Sequence, residues 1–544
     1  MKNIFVDKIK KYSSKKTAFA LLECGETIKT INYEELYNSY LEYKTLFESV
    51  KMENKLCILY LQACVDFVAI LMALIDTDFK PVLKTIGPSV AKDKIYSQLK
   101  EIKTEFKNIS TIITNYNYEG LEDMALSLNL NYIDLENKSV YINNNDRYCH
   151  VNGDIILLTS GTTKFSKGVL ITISQLEKNV SFCRDLWNID DEDVCLDWMP
   201  HSHIYGLVTG FLLPIYTGGT SYIMSPKEYS NNFNTFFSCL GKYKITHTHT
   251  PASNMFLENG SLYVGKIDLS NLKTVSLGGE AINYSLLNKF EKRYALKRNI
   301  FSPNYGMSEI AGLLCAIKHG EELKILDVNE QDLKFNNKIT IENGYNSCKL
   351  VSVGKTNKNE TLICEPNTFD ELGDYVIGEI VINVSSMSNA YINPRDNVPF
   401  VVHNGITYYR TGDLGFKYDE YLIVIGRIKE IIKINGKNIS PYEIENCVIL
   451  SEYKKNITNV VAFARKKTVF SSEEIGLLIE TTLDDSYIDE ILKMIDDKLQ
   501  IKIMSENTIL LRKCKIPRFS NGKISRKKCD EYFNVLKESE NING

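Results

Sequence analysis

The stretch of the chain most suggestive of chemistry is Leu157–Leu170, LLTSGTTKFSKGVL. An apolar run leads into the hydroxyls of Thr159, Ser160, Thr162 and Thr163 around Gly161, and Lys167 and Gly168 follow. Clustered hydroxyls and unobstructed backbone N–H groups can wrap an oligophosphate, and a lysine can neutralise part of its charge. The spacing does not fit GxxxxGK(S/T), which excludes a P-loop NTPase. A polar turn between two strands would use the same residues, so the loop alone leaves both readings open.

Further candidates follow in order along the chain. Gly278-Gly279-Glu280-Ala281 closes the apolar run Thr274–Leu277, and glycines there would let a flat base approach the backbone. Asn304–Glu309 reads NYGMSE and offers an aromatic ring and a carboxylate; Tyr409–Asp413 reads YRTGD, whose carboxylate can accept two hydroxyls. Gly426–Glu430 is GRIKE, and Pro517–Arg526 is PRFSNGKISR. Each suits an ordinary turn when read singly. As an ordered set they resemble the adenylate-forming superfamily: acyl- and aryl-CoA synthetases, fatty acyl-AMP ligases and peptide-synthetase adenylation domains. The loop of that family usually reads TSGTTGxPKG, and Lys164 and Ser166 depart from it.

The resemblance implies ATP and magnesium as cofactors and assigns roles. Thr159, Ser160, Gly161, Thr162, Thr163 and Lys167 hold phosphates, and Gly279, Glu280, Gly306 and Ser308 belong to the nucleotide site. Tyr305 stacks on adenine, Glu309 helps hold magnesium, and Asp413 accepts the ribose hydroxyls. Arg427 approaches ribose or phosphates, and Lys429 is the hinge of a domain that rotates between two catalytic poses. Lys523 is the catalytic lysine, reaching the substrate carboxylate and the α-phosphate as negative charge builds on both.

Asp197–Leu207, DWMPHSHIYGL, corresponds to the family's acyl-pocket segment. Its HIYGL is similar to acyl- and aryl-CoA synthetases, and its WMP resembles acyl-AMP ligases that load assembly lines. His203, Tyr205 and Gly206 are expected in the pocket, with His203 near the substrate carboxylate. Amino-acid-activating relatives carry an aspartate here to pair with an ammonium, so an α-amino acid is disfavoured. The pairs His201/His203 and His247/His249 also raise a competing reading, because i and i+2 share a strand face and four imidazoles could converge on zinc. As to the acceptor thiol, the stretch from Glu309 to Val351-Ser352-Val353-Gly354 is longer than in typical CoA synthetases, and Asn435–Pro441 (NGKNISP) resembles the GxNxxP of fatty acyl-AMP ligases. Both favour a separate carrier protein's phosphopantetheine over CoA.

The elements that must position these residues follow from the pattern. A chain of 544 residues is too long for one ordinary core. Short β-rich runs, such as Cys57–Leu61, Asp154–Leu158, Thr274–Leu277 and Glu379–Asn383, alternate with helical periodicity, which predicts α/β layers. The expected fold is a large multi-layer α/β domain over residues 1–426 and a smaller, mobile α+β domain over 427–544. The most apolar stretch, Leu56–Ile75, includes Gln62 and Asp66 and reads as a buried strand and helix, not a membrane span. A net charge of −4 gives no reason to expect nucleic acid or an anionic membrane. The 13 cysteines lack CxxC spacing, which suits reduced thiols in the cytoplasm. The expected function is ATP-dependent conversion of a fatty or aryl acid to acyl-AMP with release of pyrophosphate, then transfer to a carrier protein. An acyl- or aryl-CoA synthetase and a catalytically silent nucleotide-binding relative are the alternatives.

Overall fold

The computed structural model describes residues 3–543 except 86–91, 117–119, 143–150, 160–166, 232, 252–266, 280–281, 330–331, 334–337, 343–346, 389–390, 393–398, 435–436, 450, 466–472, 513–515 and 518–523. Its largest elements are two eight-stranded sheets. One runs in the order Gly312–Ala316, Phe301–Met307, Thr274–Gly278, His247–Pro251, Val194–Asp197, Thr220–Met224, Thr17–Glu23 and Glu26–Asn32. The other runs Tyr391–Ile392, Lys167–Ile171, Ile155–Thr159, Lys80–Thr85, Leu56–Leu61, Thr111–Thr114, Asn131–Asp134 and Ser139–Tyr141. Interior pairings in both sheets are parallel, and antiparallel pairings occur towards the edges.

The strand Leu56–Leu61 is buried at every position, as a parallel strand covered on both faces must be. Its alternation divides it cleanly. Cys57, Leu59 and Leu61 join the core around the helix Phe67–Asp76, whereas Leu56, Ile58 and Tyr60 face Ile95, Leu99 and Ile102 of the helix Lys92–Glu105. Phe67–Asp76 is itself buried from Phe67 to Leu74, so it is apolar all round because it is enclosed by protein. No helix among the described residues is long and apolar enough to cross a membrane.

Local signals set helix ends. Thr172 and Gln175 form a reciprocal capping box that starts Ile173–Trp187, and Asn188 ends it in the left-handed conformation. A third, antiparallel sheet holds Thr361–Cys364, Gly378–Ile382, Ile406–Tyr418, Phe400–His403 and Tyr421–Arg427. Against it lies the hairpin of Ile325–Asn329 and Ser347–Val351, whose Leu326 and Val328 pack with Phe416 and Ile423.

The C-terminal part is a small α+β unit. Its sheet, Ile457–Arg465, Glu474–Thr481 and Thr508–Leu511, presents Val460, Ala462, Leu477 and Ile479 to the helices Pro441–Ile449 and Ile488–Leu499. The opposite face presents Val461, Phe463 and Leu478 to Cys529 and Phe533 of the helix Arg526–Asn543.

Candidate functional site

The strands on either side of the polar loop expected to hold phosphate pair with each other. Thr159 and Lys167 are register partners in the antiparallel pair Ile155–Thr159 and Lys167–Ile171. Ser160, Gly161, Thr162 and Thr163 lie outside the described residues, as do Lys164 and Ser166. Gly168 has a visible steric reason: a Cβ there would lie 2.5 Å from Ile392 Cγ2, so only glycine lets the short strand Tyr391–Ile392 pair alongside. Lys167 Nζ lies 5.4 Å from the centroid of the Tyr391 ring.

Across from this hairpin the strand Phe301–Met307 delivers the NYGMSE residues. Glu309 is buried in the turn Ser308–Ile310, and its Oε1 accepts the Tyr391 hydroxyl at 2.8 Å. The hydroxyls of Tyr391 and Tyr409 are 3.4 Å apart. Burial and then the Glu309 charge hold the Tyr391 phenol well above its ordinary range, so it stays protonated and donates. Gly306 fits because a Cβ would meet the Gly312 carbonyl at 2.2 Å.

Tyr305 and Asp413 meet. The Tyr305 hydroxyl donates to Asp413 Oδ2 at 2.5 Å, and Arg427 Nε lies 3.0 Å from Asp413 Oδ1. Asp413 and Arg427 are register partners on adjoining strands, which is how GRIKE and YRTGD come together. The Asp413 carboxylate is buried, and Arg427 is half exposed. Burial and the neighbouring carboxylate raise the Tyr305 phenol. Arg410 points elsewhere, to Glu379 and the Thr368 carbonyl.

Of the glycines in GGEA, Gly278 has an internal cause. Its missing Cβ would fall 2.1 Å from Asn304 Oδ1, so the space goes to a side chain and not to a base. Gly279 is exposed with φ +78°, a left-handed conformation that favours glycine. Glu280 lies outside the described residues. Asn304 Nδ2 donates to the Tyr205 hydroxyl at 3.0 Å and to Ser276 Oγ at 2.8 Å, and those two hydroxyls are 2.5 Å apart. Tyr205 is therefore tied by its hydroxyl to the strands that carry GGEA and NYGMSE.

In the segment expected to line an acyl pocket, His203 caps the short helix Ile204–Gly206, its Nδ1 accepting from the Tyr205 N–H at 3.2 Å. Gly206 packs so closely that a Cβ would sit 2.6 Å from the Pro200 carbonyl. The π-helix Leu207–Leu212 follows, and Thr209 within it donates to Asp197 Oδ2 at 2.8 Å. The Met199 N–H donates to Asp197 Oδ1 at 2.7 Å, yet complete burial outweighs these bonds and pushes the Asp197 carboxyl up to about 7. Trp198 stacks on Tyr229 with centroids 3.9 Å apart.

The histidines are held separately. His201 packs at a tilt on Phe67 with ring centroids 4.4 Å apart, and burial lowers it to about 3. His247 and His249 share the strand His247–Pro251. Nδ1 of His247 lies 2.8 Å from Thr246 Oγ1 and 3.6 Å from Asp193, and the His249 ring lies 5.0 Å from that of Trp187. Among the described residues no three His, Cys, Asp or Glu side chains gather as metal ligands would, so the zinc reading is set aside.

Lys429 is exposed in the turn after Arg427, where the Ile428 N–H returns to the Gly412 carbonyl at 2.9 Å. Lys523 lies outside the described residues. The ends of its segment are pinned together by a bond from the Ser525 N–H to the Pro517 carbonyl at 3.1 Å. Next to it, buried Arg526 donates to both Glu445 oxygens at 2.8 and 2.9 Å, lies 3.6 Å from Glu430 and covers the Tyr442 ring. Sequence reading missed the roles of Tyr391, Asn304 and Arg526. The Gly168 contact is the one local hint of the first, and Arg526 stood unremarked at the end of the lysine segment.

Known proteins are similar to this chain in sequence and in fold. Residues 124–392 match the AMP-binding enzyme family. The medium-chain-fatty-acid–acyl-carrier-protein ligase JamA of Moorena producens is 24% identical over 553 residues, spanning 96% of this chain and 93% of that protein. A structure from work on fatty acyl-adenylate ligases of E. coli and L. pneumophila superposes with a TM-score of 0.84 at 21% identity, over 99% of this chain and 100% of the other. The L. pneumophila fatty acyl-adenylate ligase in complex with acyl adenylate and pyrophosphate gives 0.70 at 22% identity, over 97% and 96%. Over residues 124–392 the chain matches the AMP-binding enzyme family, and with its two eight-stranded sheets and small α+β unit it has the fold of the adenylate-forming superfamily.

Proposed function

We propose that this enzyme activates a fatty or aryl acid with ATP and passes the acyl group to the phosphopantetheine thiol of a separate acyl carrier protein. The first half, adenylation of a carboxylic acid, is the family's chemistry. A carboxylate oxygen attacks the α-phosphorus, the bond to pyrophosphate breaks, and acyl-AMP remains. In the second half the thiol sulfur attacks the acyl carbon and AMP leaves.

The observation that carries the reading is the meeting of Tyr305, Asp413 and Arg427 from three separate segments. A buried carboxylate that already accepts a phenol O–H and faces a guanidinium N–H suits a ribose diol, which brings two hydroxyl donors. Tyr305 would yield Asp413 to the ribose and keep its ring for the adenine. Arg427 stands where it can turn from Asp413 to a phosphate. Thr159 to Thr163 and Lys167 would cradle the phosphates, with Gly279, Glu280, Gly306 and Ser308 around the nucleotide. Glu309 offers the hard oxygen that magnesium takes, and the ion when bound neutralises phosphate charge. His203 would sit beside the substrate carboxylate. Lys523 would stabilise the charge developing between carboxylate and α-phosphate, delivered by a small domain that begins at 427 and turns about Lys429.

Two features favour a carrier protein over CoA. The strands Ile325–Asn329 and Ser347–Val351 pair antiparallel and are braced on Phe416 and Ile423, of which Ile423 belongs to the strand leading to the proposed hinge. JamA, similar over nearly the whole chain, is itself a ligase of medium-chain fatty acids to acyl carrier protein. Incubation with ATP, a medium-chain fatty acid and candidate holo-carriers should raise carrier mass by one acyl group, and Lys523→Ala should abolish it. Rapid acyl-CoA formation without carrier acylation would assign the CoA synthetase reading instead. Bound ATP without pyrophosphate exchange across fatty and aryl acids would make the protein a silent relative.

A further inference from the structure

We infer that Tyr391 is a positioning residue for the metal-bound triphosphate. It rests on the assignment of Glu309 and Lys167 to magnesium and phosphate. Tyr391 stands at the junction of the elements that bring those two residues together. Its hydroxyl donates to Glu309 Oε1 at 2.8 Å and lies 3.4 Å from the Tyr409 hydroxyl, while its ring lies 5.4 Å from Lys167 Nζ. One side chain thus orients the candidate metal ligand through its hydroxyl and holds the first cation beyond the phosphate loop against its face.

The backbone around it is built for the task. Tyr391 and Ile392 pair with Val169 and Gly168, and the absent Cβ of Gly168 is what admits them. The preceding residues stitch the same junction. The Ser388 N–H donates to the Glu309 carbonyl and Ser388 Oγ to the Leu170 carbonyl, each at 2.7 Å, and Gln175 Nε2 donates to the Met387 carbonyl at 2.6 Å. Met387, Ser388, Tyr391 and Ile392 therefore tie the strand Lys167–Ile171 and the helix Ile173–Trp187 to the Glu309 turn. Phe400, with its ring centroid 5.7 Å away, backs the phenol on another side.

A carboxylate free to rotate binds a metal less well than one whose orientation is held by a hydrogen bond, and loss of such an outer partner typically weakens metal affinity ~10-fold. The test uses the whole protein with Mn2+ as probe, read by electron paramagnetic resonance in the presence of a non-hydrolysable ATP analogue. Tyr391→Phe keeps the ring and removes only the hydroxyl. It should weaken Mn2+ binding ~10-fold while melting behaviour and metal-free affinity for the analogue stay as in the parent. Tyr391→Leu removes the ring as well and should in addition weaken pyrophosphate binding through Lys167. Parental Mn2+ affinity in Tyr391→Phe, with Glu309→Gln impaired, overturns the inference and leaves the metal assignment standing. Parental affinity in Glu309→Gln overturns the metal assignment itself, and the inference with it.

Discussion

Replacing Arg526 with methionine tests whether the small domain depends on one buried ion cluster. The guanidinium donates to both oxygens of Glu445, donates to the Ala462 carbonyl at 3.2 Å, lies 3.6 Å from Glu430 and stacks over Tyr442 at 4.6 Å. The side chains of Arg526 and Glu445 are 12% and 8% exposed, so solvent screens the pair little. Burial on its own would lower the arginine's affinity for its proton; Glu445, Tyr442 and Glu430 outweigh it and raise it. Methionine fills most of the volume but strands a buried carboxylate, a change that costs about 3–5 kcal/mol. Glu445 keeps the Ala462 N–H at 2.9 Å, which argues for the lower end. A loss of about 3 kcal/mol in a unit of this size lowers melting by roughly 10–20 °C. Scanning calorimetry of the full chain should show the transition of the small domain moving down. The double variant Arg526→Met with Glu445→Leu removes both charges and should regain most of the loss, keeping about 1 kcal/mol for the orphaned Ala462 N–H. A double variant that loses the sum of the two single losses would refute the reasoning, because independent sites add and a coupled pair does not.

Asp197 gives a pH-dependent prediction. Its folded-state carboxyl titrates near 7 against an ordinary 3.8, so the fold retains a proton that the unfolded chain releases. The stability it contributes is complete below the unfolded value and is lost as pH rises from about 4 to 7, by up to ~4 kcal/mol. Asp197→Asn should flatten urea-unfolding stability over that window, and an unchanged slope would count against burial as the cause. His201 and His247, lowered to about 3 and about 4, act with the opposite sign: stability falls as pH drops below their ordinary 6.5. His201→Asn should soften that acid limb. At the proposed nucleotide site, Asp413→Asn should weaken AMP binding ~10-fold or more by calorimetric titration, since hydrogen bonds to a charged group contribute about 1.5–3 kcal/mol. Tyr305→Phe should leave AMP affinity unchanged or improve it, because the phenol competes for Asp413; a loss matching that of Asp413→Asn would contradict this.

What the sequence discloses and what it hides divides along physical lines. Leu56–Leu61 and the apolar helix after it were legible because burial on both faces removes polar alternation, and Gln62 and Asp66 mark the break between them. The residues of NYGMSE, YRTGD and GRIKE were legible as types, since a carboxylate or a ring announces what it can bind. Their present partners were not. Nothing local to Asp413 says that a phenol 108 positions away occupies one oxygen. Tyr391 and Glu309 are 82 residues apart, Tyr205 and Asn304 are 99, and Arg526 and Glu445 are 81. Each contact is made by crossover connections and strand register, which composition and spacing do not encode locally. The histidines are the counterexample that proves the point. Spacing correctly put His247 and His249 on one strand, and the zinc reading followed from that geometry alone. The strand, however, pairs with neighbours on both sides and is buried throughout, so those imidazoles meet Thr246, Asp193 and Trp187 instead. His201 follows its own strand in a turn against Phe67. Residue type proposes a chemistry, and only the walls brought up by the rest of the chain decide whether it has a ligand to act on.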